Sequence, residues 1–226
     1  AALASAAAFT VGALLPIAER LFVAILVGTL AAVAVWGFAK GGDVVAALGI
    51  GLGVFAVIAS LDDLRIRAMR GGGGGALARL VGLPRSIIAA AVAHMGVGVM
   101  VIGIAATAFH EEHIAAMAPG EKLTLDGVEM TFNGVQRQPG PNFTATVGSF
   151  TLREGGRELV ELRPGKRIYV GRQMPTSETA RLTRGFGQIY LAIGDSHDGK
   201  VDVRAYWKPW VLLIWIGTLI MTFAGL

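Results

Sequence analysis

The chain has 226 residues, of which 54% are hydrophobic and only 16% are charged, and its mean hydropathy is +0.60. Soluble domains carry about 25% charged residues, so this composition excludes an ordinary soluble domain, a disordered or collagen-like chain and a nucleic-acid-binding module. Residues 110–209 contain 13 of the 20 Lys and Arg residues and 12 of the 16 Asp and Glu residues. One charged block thus lies within an apolar chain, which predicts membrane spans joined to one water-exposed domain.

Four apolar runs predict a membrane α-helical bundle with about four visible spans. A bilayer core takes about 20 helical residues, and the runs 21–39, 44–61 and 86–109 meet that length. The fourth run, 210–226, is expected to be a truncated terminal span, and the chain is expected to be a fragment of a longer polypeptide. Residues 1–17 are apolar but short, so both a span and an interfacial segment stay open there.

A basic loop sets the predicted orientation. Residues 62–85 include Arg65, Arg67, Arg70, Arg79 and Arg85, and short loops rich in arginine lie on the cytoplasmic side. Within that loop, residues 71–75 are five glycines that predict a flexible linker. Counting spans from the loop divides the chain into transmembrane residues 1–109, a periplasmic domain at 110–209 and a terminal helix at 210–226. In a bacterium this is a multi-pass inner-membrane protein.

The water-exposed block changes from a helical to a strand period. Alternation and β-branched or aromatic residues predict an inserted all-β domain, an antiparallel sandwich or barrel. Residues 174–184 break the alternation and predict a loop or a short helix. The predicted strands are 122–125, 128–135, 143–152, 157–162, 167–172, 188–193 and 201–206.

His94 is the single ionisable residue in the run 86–109. It lies eight residues into that run, about 12 Å along a helix axis, and an unpaired imidazole near mid-bilayer is a functional hypothesis. Ala90, Ala91, Gly96 and Gly98 surround it with small side chains that leave room for a flat ligand. From the residues alone, an interhelical hydrogen bond with packing small residues, a haem or other metal ligand and a proton relay stay open.

Other candidate residues carry weaker signals. His110 and His113 have a spacing that a helix would place on one face, but two ligands without a third favour a solvated interface; His197 is predicted in a turn. The absence of cysteine excludes thiolate metal sites, and no nucleophile elbow for serine hydrolysis is present. Six basic residues predict either a basic face or, more commonly, ordinary surface charge: Arg153, Arg157, Arg163, Lys166, Arg167 and Arg172.

Seven short motifs occur in a fixed order between a span that contains histidine and a terminal span. They are AHMG at 93–96, GPN at 140–142, PGKRIY at 164–169, MPTSE at 174–178, QIYLAIGD at 188–195, VRAYWKP at 203–209 and IWIG at 214–217. In this order, over about residues 20–226, the chain resembles the C-terminal third of the CcmF family, the membrane haem-lyase subunits of the bacterial cytochrome c maturation system.

The resemblance implies a task and a set of partners. Such proteins take substrate haem from a haem chaperone and attach it to apocytochrome c outside the cytoplasmic membrane, beside other cytochrome c maturation membrane subunits. They also hold a b-type haem between two membrane histidines, and the match places His94 as one axial ligand of its iron. The second ligand and the haem-presenting loop are expected in the upstream part of the same polypeptide, so this chain alone is expected to be inactive.

Two positions depart from the family pattern, and two other classes of function stay open. Gln188 stands where the family has an acidic residue, which weakens a charge-dependent role there, and Ser177 replaces a threonine. A membrane anchor that presents the β-domain for complex assembly would leave His94 structural. A transporter fragment would use His94 to carry protons.

Overall fold

The computed structural model describes residues 21–39, 43–69, 75–171 and 174–226. They form two compact units, one of helices and one comprising Phe109–Val211. The predictions for residues 1–17 and for the glycine linker, apart from Gly75, lie outside the described residues.

The helical unit is built from apolar segments. In the described part of the chain, three helices are long and apolar enough to cross a membrane, and a shorter apolar helix of 13 residues follows the β unit. The protein is therefore a membrane protein, and about four spans fit this set of helices. The helices are α1 (Leu21–Phe38), α2 (Val44–Met69), α3 (Ala76–Val81), α4 (Arg85–Ala106) and α5 (Leu212–Ala224), with a 3-10 turn at Thr107–Phe109.

The long helices pack through facing glycines. A Cβ atom at Gly53 of α2 would lie 2.6 Å from the backbone oxygen of Gly98 on α4. A Cβ atom at Gly96 of α4 would lie 2.7 Å from the backbone oxygen of Gly217 on α5. Only glycine permits backbones to approach this closely, and small residues at such contacts are what membrane helices use to associate. The two glycine pairs thus hold α4 between α2 and α5.

The second unit contains two antiparallel sheets. One has the strand order β1-β10-β9-β8 and the other β2-β3-β4-β6-β7, with β5 paired to β4. The strands are β1 (Glu111–Met117), β2 (Lys122–Leu125), β3 (Val128–Pro139), β4 (Phe143–Glu154), β5 (Arg157–Leu162), β6 (Gly165–Tyr169), β7 (Pro175–Glu178), β8 (Ala180–Arg184), β9 (Gly187–His197) and β10 (Lys200–Lys208).

The core of this unit lies between the two sheets, which confirms the predicted antiparallel all-β domain and shows it as a sandwich. Phe132 on β3 and Phe150 on β4 are fully buried, and their ring centroids lie 5.0 Å apart. Leu191 on β9 and Val203 on β10 are equally buried and come from the other sheet. Alternate residues of the core strands therefore supply a single apolar layer, as the period of two requires.

Two predictions about strands were wrong. Residues 174–184 contain β7 and β8 rather than a loop or a helix, because the backbone of β7 pairs with β6 although all its side chains are exposed. β1 was not predicted, since its first residues are charged and its pairing partner β10 lies far along the chain. β7 and β1 depend on hydrogen bonds to other strands, β6 and β10, rather than on local pattern.

Truncation of the central aromatic pair should destabilise the β unit. We expect Phe132→Ala to lower its free energy of unfolding by about 3–5 kcal/mol, because the substitution leaves a cavity in a fully buried layer. Phe186→Ala is the matched control, since that ring is 50% exposed. Urea unfolding of the whole chain in detergent, followed by near-ultraviolet circular dichroism, measures both. Equal destabilisation by the two substitutions would contradict the assigned core.

Candidate functional site

His94 lies on α4, where its ring is hydrogen-bonded to its own helix. The Nδ1 atom lies 2.6 Å from the backbone oxygen of Ala90, one turn earlier. A carbonyl oxygen can only accept, so Nδ1 carries the proton and donates it. The neutral ring then has its lone pair on Nε2, the atom through which imidazole binds a metal when its other nitrogen is held by a backbone carbonyl.

The His94 side chain lines an open groove between α2 and α4 of about 360 Å³. We call this the His94 groove. Apart from Ile87 its walls are small or polar, and the His94 side chain is exposed rather than enclosed by packing. The lining residues are Ala59, Ser60, Asp63 and Arg67 of α2 and Ser86, Ile87, Ala90, Ala91 and His94 of α4.

The small residues around His94 have two different roles. Ala90 and Ala91 line the groove, as expected for residues that leave room for a ligand. Gly96 and Gly98 instead are buried against α5 and α2, respectively. The interpretation of these two glycines as part of an open patch was therefore wrong, because neighbouring helix backbones occupy the space that they leave.

The sequence did not indicate that polar residues of α2 lie near His94, and Arg67 was assigned to the basic loop, whereas it belongs to α2. Arg67 donates from Nε to Oδ2 of Asp63 at 2.7 Å, while the Ser60 hydroxyl donates to the backbone oxygen of Ala56 at 2.8 Å. The available signal was the Asp63 and Arg67 spacing of four residues at the end of an apolar run, which places both on one helix face. The sequence did not show that α4 and His94 lie opposite this face of α2.

A second cavity of about 440 Å³ lies between α1 and α2. Its lining is apolar or small apart from Thr29, with no titratable side chain among the lining residues. It offers no imidazole, carboxylate or guanidinium group for a metal or a charged ligand. The His94 groove is the better candidate site despite its smaller volume.

The other three histidines belong to the β unit. His113 is in β1, so its spacing from His110 does not place the two on one helical face, and Nε2 of His113 lies 3.0 Å from a carboxylate oxygen of Glu111. His197 is the last residue of β9 rather than part of the turn itself. Within the described ranges, no group of three or more potential metal-ligating His, Asp or Glu side chains is present.

Four of the six basic residues considered for a basic face are paired with carboxylates, as ordinary strand-surface charges are. Lys166 contacts Asp195 at 2.5 Å, and its hydrogen bond holds the pKa of Asp195 below the ordinary value. Arg163 contacts Glu161 at 3.0 Å, and hydrogen bonds to the Glu161 carboxylate lower its pKa below the ordinary value. Arg153 and Arg167 also form ion pairs, with Glu158 and Glu178, while Arg172 and the predicted strand end beside it lie outside the described residues.

Gln188 is a buried polar side chain at the start of β9, with 8% exposure. Its amide nitrogen donates to the Thr183 hydroxyl at 3.0 Å, and its amide oxygen accepts a hydrogen bond from the Tyr190 hydroxyl. A neutral amide can serve both partners at once because it donates and accepts. These two hydrogen bonds satisfy the buried Gln188 side chain, and no charged group is needed at this position.

Comparison with known proteins identifies the fold and its relatives. The family model described as the CcmF C-terminal beta-sandwich matches residues 108–209. The cytochrome c-type biogenesis protein CycK of Rhizobium meliloti is 42% identical over 212 residues, covering 92% of this chain and 31% of CycK. The cytochrome c-type biogenesis protein CcmF of Pseudomonas aeruginosa is 34% identical over 154 residues, covering 67% of this chain and 23% of that protein.

The chain is a C-terminal CcmF-like piece. A solved structure titled Cytochrome c Heme Lyase CcmF superposes with a TM-score of 0.69 at 20% identity, over 90% of this chain and 33% of that one. At this identity the match supports the fold of the CcmF-like chain. The chain spans about a third or less of the length of these relatives.

Proposed function

We propose that this chain acts in cytochrome c biogenesis as part of a membrane haem lyase, with His94 as an axial ligand of a b-type haem. The observation that carries the proposal is the hydrogen bond from Nδ1 of His94 to the Ala90 carbonyl oxygen. It orients the ring and leaves Nε2 as the basic atom at an open groove. The names of the relatives support the pathway, and the imidazole supports the cofactor.

The residues of the groove fit a haem ligand in chemical type. Imidazole is a ligand that suits haem iron, and the Ala90 carbonyl fixes the ring in the tautomer that can bind it. Ala90 and Ala91 keep the groove wall beside the ring free of long side chains. When bound, the haem would supply one-electron redox chemistry at its iron. The chain itself contains no cysteine, so the thiols that bond to substrate haem would come from apocytochrome c.

The β unit and the rest of the polypeptide complete the proposal. We place the protein in the bacterial inner membrane, with the β unit in the periplasm, where a haem chaperone, apocytochrome c and other maturation subunits would reach it. The second axial ligand would come from an upstream part of the same polypeptide. The arginines on one side of the spans support this orientation.

The direct test is a reduced-minus-oxidised absorption spectrum, together with a pyridine haemochrome assay, of the intact polypeptide purified in detergent with its upstream part included. A b-type spectrum is the expected result. A folded, haem-free protein would contradict the proposal and favour a membrane anchor or a proton-carrying histidine.

The orientation has a separate test by cysteine labelling. The 226-residue sequence contains no cysteine, so within it only the introduced thiol reacts. A single cysteine at Arg157 on β5 should react with a membrane-impermeant maleimide added to spheroplasts. A cysteine at Leu77 on α3, where the side chain is 74% exposed, should react only after the membrane is permeabilised. The reverse pattern would place the β unit in the cytoplasm and contradict the proposed location.

A further inference from the structure

The register of α2 against α4 locates the ends of the His94 groove. A Cβ atom at Gly49 would lie 2.8 Å from the Cβ of Ala105, and one at Gly98 would lie 2.8 Å from Cγ2 of Val57. Residue numbers rise on α2 as they fall on α4, so the helices run antiparallel. Continuing this register places Ser60 at the level of His94, and both residues line the groove.

Arg67 lies at the far end of the same groove. It is seven residues beyond Ser60 on α2, which is about 10 Å along a helix that rises 1.5 Å per residue. Ser86 and Ile87, in the first turn of α4, line the groove at this end. The groove therefore extends from the imidazole to the end of the spans where the basic residues are concentrated.

The guanidinium of Arg67 is held in position and retains donors for a ligand. Only its Nε atom bonds to Asp63, at 2.7 Å, and the side chain is 43% exposed. A guanidinium has five N–H donors in a planar fork that matches a carboxylate. Asp63 thus orients the arginine through Nε, and this bond does not use the two terminal nitrogens. The Ser60 hydroxyl cannot serve as this donor in place of Arg67, because the hydroxyl already donates to the Ala56 carbonyl.

We propose that Arg67, oriented by Asp63, binds a propionate carboxylate of the haem whose iron is bound by His94. This inference rests on the proposed function of His94. The propionates lie along one edge of a porphyrin, several ångströms from the iron, and an anionic edge is costly inside a bilayer. That edge therefore points to the polar end of the groove, where an arginine–carboxylate pair forms charge-assisted hydrogen bonds.

The chain provides a matched control for this arginine. Arg65 is also on α2, and its Nε atom also donates to an aspartate, Asp62, at 2.7 Å. Arg65 is not among the residues that line the His94 groove. R67Q and R65Q therefore remove the same charge and the same kind of ion pair from the same helix, and only R67Q changes the groove.

The experiment uses the purified intact apo-polypeptide in detergent, including the upstream part that would supply the second ligand. It is titrated with iron protoporphyrin IX and, separately, with its dimethyl ester, which has no carboxylate. For wild type and R65Q, we expect tighter binding of the free acid than of the ester. For R67Q, we expect about tenfold weaker binding of the free acid, the loss typical of a hydrogen bond to a charged group, and unchanged binding of the ester.

The outcomes separate this inference from the function on which it rests. If wild type binds neither porphyrin while folded, the haem proposal fails and the role of Arg67 fails with it. If wild type binds haem through His94 but R67Q weakens the acid and the ester equally, or no more than R65Q does, the haem proposal stands and the propionate contact is wrong. Weakening of the acid alone, in R67Q alone, supports the contact.

Discussion

Replacement of His94 by alanine is expected to remove the b-type haem spectrum and to reduce haem stoichiometry to background. The imidazole is the iron ligand that the chain contributes in our proposal, and the backbone carbonyl of Ala90 that orients it is 2.6 Å from Nδ1. Alanine cannot bind iron, but it leaves the helix intact because its helix propensity is high. The measurement is the pyridine haemochrome assay normalised to protein concentration.

Two controls make this result specific. His113→Ala, in β1 of the other unit, should keep the full spectrum. Imidazole added to His94→Ala should partly restore it, because the groove is open and Ala90 and Ala91 leave space beside the missing ring. Retention of the spectrum in His94→Ala would show that the ligands are elsewhere. Loss of the spectrum together with loss of helical circular dichroism would make imidazole rescue the deciding measurement.

Enlargement of Gly98 is expected to separate α2 from α4 and to abolish the His94 groove. A Cβ atom at this position would lie 2.6 Å from the backbone oxygen of Gly53, so even G98A requires a backbone to move and should cost about 1–3 kcal/mol. G98L adds a branched side chain at the same contact and should prevent the packing. Thermal unfolding in detergent and haem stoichiometry are the two measurements.

Gly37 provides the matched control for this substitution. It lies in α1, and a Cβ atom there would have no neighbour within 4 Å. G37L should therefore leave haem binding unchanged and should slightly favour the helix, because leucine has the higher helix propensity. If G98L were as stable and as haem-bound as G37L, the glycine contact between α2 and α4 would be wrong.

The strands that were predicted correctly are those with a strong local pattern. β2 and β5 have their predicted bounds, and in β3, β4, β9 and β10 buried and accessible residues alternate around the predicted centre. β7 has four exposed residues and no alternation, so it could not be recognised locally. Its hydrogen bonds with β6 exist only once both strands have folded.

The composition and the order of residues were sufficient for several conclusions. Apolar runs of span length predict membrane helices. A helix pairs its own backbone groups, and its apolar side chains are more stable in lipid than in water. Alternation within 110–209 predicts an antiparallel sandwich or barrel, and one imidazole in an apolar run marks His94 as a candidate site residue. These features are local, since each depends on residues that are neighbours in the chain.

The tertiary structure alone decided which residues surround His94. Asp63 and Arg67 are some 30 residues away from it in the sequence and reach the groove only because α2 lies antiparallel to α4. Gly96 and Gly98 are adjacent to His94 in sequence, yet they serve helix contacts instead. Contacts between helices depend on packing register, which the sequence of one helix does not determine. A single polar residue in an apolar segment can be recognised from that segment alone.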